Sequence, residues 1–551
     1  MASERQGHRF FVPAIVVGLI VLAAHSCWIL SDARFLDGTY FEYFIEQDNW
    51  GVLTWNMYGV LMHPWAWLMW PFMGTDNPGL AFRIVEWACI AIIAMAVQRI
   101  AAKHARLDVA ESMFLALAVA LFPSYSAAMM SSTVIYIFPT ALFYVGWAIY
   151  FDAALSAKEC LWLRLLPVPI WLLAFFHNSL LSFHVGFTVL LLALSIAHRS
   201  APFESAGGVI RFLLSFLRKN ALVAALPFLF FALRALSFPA DSPFGTHNNL
   251  VFDPARNVRA FLGGFHHHVS MNLSSAFLGQ EWLLGLVLAI LGGWLALRWR
   301  KNGQALSTFW IAALGVMFAV LAILPYAAVA KAAPLQSFGA RYGILSGLGG
   351  GLILLAVWRS LPLAKRWRTL FGAFLLAGLA LRGISDDLMW LGRWAKDRAA
   401  IAALAQHPPP QHGTILLWQD DWRIGNESYR PFELAWFFNK AWGGEFWGGI
   451  DLLERGPDSL VYDGNAFFKI KDKHLLRDFE SNGCLRNATV LPTLPTPDAK
   501  HLGMSYLGYH LFDNKGLDGF LSRLLKVNLG PEDCQTLPEL LKQDIPYPKS
   551  N

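Results

Sequence analysis

Apolar residues gather into eleven runs, near 10–30, 81–98, 109–127, 133–151, 161–177, 180–197, 220–237, 282–297, 306–326, 343–358 and 369–385. Most approach the ~20 residues a helix needs to cross a bilayer, and their spacing predicts a polytopic α-helical membrane protein. The first run is too long for a signal-peptide core and no small-residue cleavage site follows it, so it is expected to stay as a span. Residues 51–73 are also apolar, but Trp55, Tyr58, Trp65, Trp67 and Trp70 suit a helix lying at the interface. After Asp386 the pattern changes. Charges return, the HPPP run at 407–410 breaks the chain, and short apolar stretches such as 414–418 and 458–462 alternate with Gly and Asp. The expected organisation is a membrane part, 1–385, with outer loops at 31–80 and 238–280, followed by a mixed α/β domain over 386–551.

Composition agrees. Of 551 residues, 56% are hydrophobic and only 15% charged, where soluble domains hold about 25% charged. The net charge of +6 does not point to nucleic acid, because the cations sit in short clusters between apolar runs. Arg5, Arg9, Arg99, Lys103, Arg106, Lys158, Arg164, Arg199, Arg211, Arg218, Lys219, Arg298, Arg300, Lys301, Arg359, Lys365, Arg366 and Arg368 fall in one set of alternating loops. The other set holds Arg34, Arg256, Arg259, Lys331 and Arg341, eighteen against five. Basic loops stay in the cytoplasm, which predicts eleven spans with the N-terminus inside and the C-terminal domain outside. Moving 51–73 into the membrane would invert that bias. Cys27 and Cys89 lie in spans and Cys160 at the inner end of span five. Cys484 and Cys534 fall in the exported domain, where an oxidising compartment favours a disulfide.

The first outer loop, SDARFLDGTYFEYFIEQDNWG at 31–51, places Asp32, Asp37, Glu42, Glu46 and Asp48 close to a span end, with His63-Pro64 after them. An ordinary solvated acidic loop has the same composition. An acid just outside the first span, an aromatic-rich helical stretch and then His-Pro before the second span together resemble the GT-C superfamily of integral-membrane glycosyltransferases. The matching string is Asp37-Gly38-Thr39-Tyr40, with glycine where the family commonly has a second acid, so a divalent metal is left open. The resemblance implies an enzyme of the bacterial inner membrane with a periplasmic C-terminal domain. It implies a polyprenyl-phosphate-linked sugar donor, a glycan, lipid or protein acceptor, and surrounding membrane lipids as partners. An inverting transfer needs a carboxylate to take the acceptor proton. Asp37 is the candidate base and Glu42 the second, although five residues on a helix turn it about 140° away.

A phosphate leaving group needs cations where its charge develops. Arg234, Arg341 and Arg382 lie near the outer boundary, and FGARYGIL around Arg341 resembles the Arg-Tyr at a span entrance in such enzymes. Arg382 is expected to pair with Asp386 or Asp387. Further candidates for substrate contact are His63, His177-Asn178 at a tight outer turn, and Arg256 and His267 in the long outer loop. The three consecutive histidines 266–268 cannot all face one metal on a regular element. Arg83 and Glu86 have the spacing of a local pair, and His184 that of a core histidine. Aromatics in 432–447 suit either a sugar or the membrane surface. Two other functions fit a lipid-linked glycan. An O-antigen-type polymerase or ligase would rely on the late loop, and a transporter or flippase would show internal duplication, of which there is none.

Overall fold

A computed structural model describes residues 2–35, 78–130, 133–155, 161–198, 206–237, 250–298, 307–331, 338–424, 429, 431–443, 448–451, 484–493 and 495–534. Its helices in order are α1 (Ala2–Ala24), α2 (Cys27–Leu30), α3 (Pro78–Arg99), α4 (Val109–Ala120), α5 (Val134–Ala154), α6 (Leu161–Leu165), α7 (Pro167–Ala174), α8 (Ser179–Ala197), α9 (Ala206–Lys219) and α10 (Ala221–Ser237). Then come α11 (Pro254–Phe265), α12 (Met271–Ser275), α13 (Glu281–Arg298), α14 (Thr308–Ala328), α15 (Ser346–Ser360) and α16 (Lys365–Leu404). The remaining elements are β1 (Ile415–Asp420), α17 (Pro431–Trp442), β2 (Gly448–Asp451), β3 (Leu485–Pro492), α18 (Ala499–Phe512), α19 (Asn514–Leu521) and β4 (Leu525–Asp533).

Among the described residues, five helices are long and apolar enough to cross a membrane: Gly79–His104, Val134–Ala154, Ser179–Ala197, Thr308–Ala328 and Lys365–Leu404. The bent pair α9–α10 brings the number to six, and Val12–Ala24, Val109–Tyr125 and Leu161–Ala174 are shorter apolar helices. The expected run 161–177 is thus two short helices, since Pro167 opens a new one.

Polar groups at the two ends of this bundle are matched. At one end Asp152, closing α5, receives Arg99, Lys103 (2.7 Å) and His104 (2.7 Å). A π turn over Ile100–His104 brings the last two of these round. Nearby, Glu111 completes a capping box with Asp108 and takes the Arg359 guanidinium (3.1 Å from Nη2). At the other end, Arg83 is buried and donates to Ala33 O (2.9 Å) and Ser31 Oγ (3.3 Å). Glu86 accepts from Thr133 Oγ1 (2.6 Å). Arg83 thus anchors the chain after α2 and Glu86 the entry to α5, and the Arg83 charge acts on Glu86 one turn along the helix, the local pairing their spacing led one to expect.

Helices α14 and α15 approach through small residues, because a Cβ at Gly349 would lie 2.4 Å from the backbone N of Ala319. Small faces of this kind drive helix association where lipid removes the hydrophobic drive. His184 is buried in an aromatic nest of Phe143, Trp147 and Trp171, and pairs with Val223 O (2.9 Å), as its apolar surroundings led one to expect.

The change of composition at Asp386 falls inside one continuous helix. α16 has 40 residues, about 60 Å at 1.5 Å per residue and roughly twice the hydrocarbon thickness. Its apolar first half belongs with the bundle. Its second half, from Asp386, carries the C-terminal unit. Arg382 and Asp386 do pair (3.1 Å) at the crossover. The sheet has order β2-β1-β3-β4, with β1 parallel to β2 and β3, and β4 antiparallel to β3. Cys484 and Cys534 are joined by a disulfide. Because Leu485 pairs with Asp533, the residues just outside that pair stand opposite one another, which brings the two sulfurs together.

Beneath the sheet, α16 buries a network of charges. Arg393 bridges Asp397 (3.7 Å) and Glu433 (3.0 Å), Lys396 pairs with Asp420 and donates to Trp422 O, and Tyr429 donates to Asp397. Against it α18 crosses backbone to backbone. A Cβ at Gly503 would sit 1.9 Å from Leu388 O, and one at Gly392 would sit 2.0 Å from Ala499 O.

Candidate functional site

The RY pair within the 3-10 turn Phe338–Gly343 stands at the same end as Arg83 and Thr133. The Arg341 guanidinium lies 4.7 Å from the Tyr342 ring centroid and 5.8 Å from that of Tyr136, in the first turn of α5. Its Nη2 donates to Tyr342 Oη (3.1 Å). Tyr342 packs at 4.5 Å on Tyr326, near the end of α14, and Tyr326 Oη reaches His177 Nε2 (3.3 Å). His177 closes the ring by packing edge-on to Tyr136 at 5.3 Å. Asn178 Oδ1 is buried beside it with no hydrogen-bond partner among the described residues.

A second cation joins this group. After α14 the chain turns through Ala330, at φ 53°, a left-handed conformation that few non-glycine residues adopt. The turn returns the Lys331 N–H to Tyr326 O (2.9 Å). Lys331 is half-buried there, and burial first and the Arg341 charge second lower its pKa to about 8. His268 packs against Gly343, whose added Cβ would lie 2.6 Å from Nδ1. Two cations set among phenols and imidazoles suit an anion with hydroxyl or ring neighbours, a phosphate above all.

The sequence candidates fare differently. Arg341, His177 and Asn178 converge. Asp37, Glu42 and His63 lie outside the described residues, as does the Arg234 side chain, though its backbone is in α10. Arg256 is exposed in the first turn of α11, which Asp253 caps (3.1 Å). His267 is half-exposed on the π turn His266–Ser270, held below its ordinary pKa by burial and then by His266. Its neighbour His268 is the one that faces inward. The loop 238–280 is helical wherever it is described over 254–275, and among the described residues no three metal-ligating side chains gather.

Tyr136, Tyr326 and Lys331 were not singled out from the sequence. The only usable signal was Lys331's place in the loop set that holds just five cations.

One acid of the first loop has a partner set. Asp32 Oδ1 accepts from Trp394 Nε1 (3.0 Å) and Tyr506 Oη, and Oδ2 pairs with Arg398 (3.1 Å). Burial pushes its pKa up, but the Tyr506 hydrogen bond, the Arg398 charge and Trp394 outweigh it, so the carboxyl sits below its usual range. The first loop thus starts against the C-terminal unit, on one side of the bundle. No protein-family model and no curated protein sequence matches the chain.

Proposed function

We propose that this protein is a GT-C-type glycosyltransferase of the bacterial inner membrane. It has eleven spans, its N-terminus in the cytoplasm and its C-terminal domain in the periplasm. It takes a sugar from a polyprenyl-phosphate-linked donor and passes it to a glycan, lipid or protein acceptor outside. The observation that carries this proposal is the Arg341–Lys331 pair lined by Tyr136, Tyr326, Tyr342 and His177. It lies at the end of the bundle where the first loop meets the C-terminal unit.

In this mechanism the two cations hold the donor phosphate and stabilise the charge that grows on it as the glycosidic C–O bond breaks. The acceptor hydroxyl attacks the anomeric carbon from the opposite face and gives its proton to Asp37. Asp32 is unsuited to that task. Its oxygens are committed to Tyr506, Trp394 and Arg398, whereas Asp37 follows five residues later in the loop. Glu42 is the reserve base, and Arg234, His63, Asn178, Arg256 and His267 are secondary contacts.

The test uses purified full-length protein. Arg341→Gln should weaken undecaprenyl-phosphate binding, read by native mass spectrometry, by about tenfold, as expected for loss of one charge-assisted contact. Asp37→Asn should leave that binding intact and abolish sugar transfer. Unchanged phosphate binding in Arg341→Gln removes the donor site, and full turnover in Asp37→Asn removes the base.

A further inference from the structure

Helix α9 leaves α10 at 59°, and the corner is built rather than slack. Asn220 is buried there. Its Nδ2 donates to Phe216 O (2.8 Å), and its Oδ1 accepts from Tyr150 Oη (2.7 Å) on α5. The fixed bend prevents α9 from continuing the line of α10. With 14 residues, α9 is about 21 Å long, too short to cross a hydrocarbon core of about 30 Å.

Its surface is divided lengthwise. Ile210, Leu214 and Leu217, spaced i, i+4, i+7, are 58%, 61% and 51% exposed. Arg211, Ser215, Arg218 and Lys219 are exposed along the adjoining strip, while Phe216 turns inward. The sequence of the helix, AGGVIRFLLSFLRK, contains three cations and no acid. Its neighbour α10 likewise shows bare Phe228, Leu229, Phe231 and Leu233.

We infer that α9 is an in-plane docking helix for anionic phospholipid. The Ile210–Leu214–Leu217 strip seats in the acyl boundary, and Arg211, Arg218 and Lys219 engage the phosphates of the leaflet at the basic end of the bundle. Charge complementarity selects the lipid, because a helix with an apolar strip beside a purely cationic one is the form that binds anionic interfaces. The exposed apolar residues of α10 enter the same acyl layer. The inference needs only the bilayer placement of the chain and is independent of the transfer chemistry.

The full-length protein, reconstituted in phosphatidylcholine, is titrated with trace spin-labelled phosphatidylglycerol or phosphatidylcholine. The motionally restricted fraction reports relative association. The wild type should prefer phosphatidylglycerol, and R211Q/R218Q/K219Q should lower that preference by about threefold or more. The charge-preserving R211K/R218K should retain it. Raising salt to about 0.5 M, where the screening length falls to a few ångströms, should lower the wild-type preference without any substitution. Full preference in the glutamine variant, equal loss in the lysine variant, or a wild-type preference that salt leaves unchanged each overturns the inference. The first of those results would instead fit an acidic protein, or a second copy of this chain, on α9.

Discussion

Replacing Lys396 by methionine isolates the buried charge network that carries the C-terminal unit. Both partners of the Lys396–Asp420 pair are sealed, with side chains 2% and 1% exposed. The ammonium also donates to Trp422 O and stands 5.3 Å from the Tyr429 ring. Methionine keeps most of the aliphatic stem, so the change is electrical rather than volumetric. It leaves the Asp420 carboxylate with the Trp422 N–H (3.0 Å) as its one remaining hydrogen bond among the described residues and with Asp397 as a like charge nearby.

Breaking a buried pair by removing one member costs about 3–5 kcal/mol, most of it the desolvation of the charge left behind. Asp420→Asn on top of Lys396→Met removes that charge and should recover about 2 kcal/mol, the size of coupling that contacting residues show. The assay is pulse proteolysis of the C-terminal unit across a urea series, on the full-length protein in detergent. A loss below about 1 kcal/mol for Lys396→Met, or a double variant no more stable than the single, would refute the claim that this pair holds the domain on α16.

Three further outcomes are expected. Burial first raises the Asp397 pKa to about 6, with Arg393, Lys396 and Tyr429 acting against it and Asp420 adding to it. A carboxyl raised above its unfolded value of about 3.9 holds more protons folded than unfolded between the two. Stability of the C-terminal unit should therefore fall as pH rises from about 4 to about 6, and Asp397→Asn should flatten that window in the same proteolysis assay. Gly503→Ala places a methyl 1.9 Å from Leu388 O and should cost about 3 kcal/mol or more by parting α16 from α18. Gly508→Ala, on the same helix with open space around it, should be neutral or stabilising by about 0.5–1 kcal/mol. Lys331, with its pKa lowered to about 8, binds an anion only when protonated. Undecaprenyl-phosphate affinity should weaken as pH rises from about 8 to about 10, and equilibrium titrations of Lys331→Gln should lack that slope.

Some features of this protein are local properties of the chain and were legible from it. An apolar run long enough to span remains so whatever packs beside it, and α3, α5, α8, α14 and the first half of α16 appear where the runs predict helices. The Arg382–Asp386 pair, one helical turn apart, and the Cys484–Cys534 bridge, between the two cysteines of the C-terminal unit, needed little more than spacing. Tertiary structure decided what depends on encounters between distant residues. The Asp386 boundary shows in composition, but α16 runs through it, because charged residues end a hydrophobic run without ending a helix. Asp32 and Asp37 are alike as sequence, and only the arrival of Tyr506, Arg398 and Trp394 from the far end of the chain makes Asp32 a docking group. The cation cluster is the clearest case. Tyr136, His177, Tyr326 and Arg341 come from four segments, and periodicity describes which way a helix faces without saying which other helix it will meet.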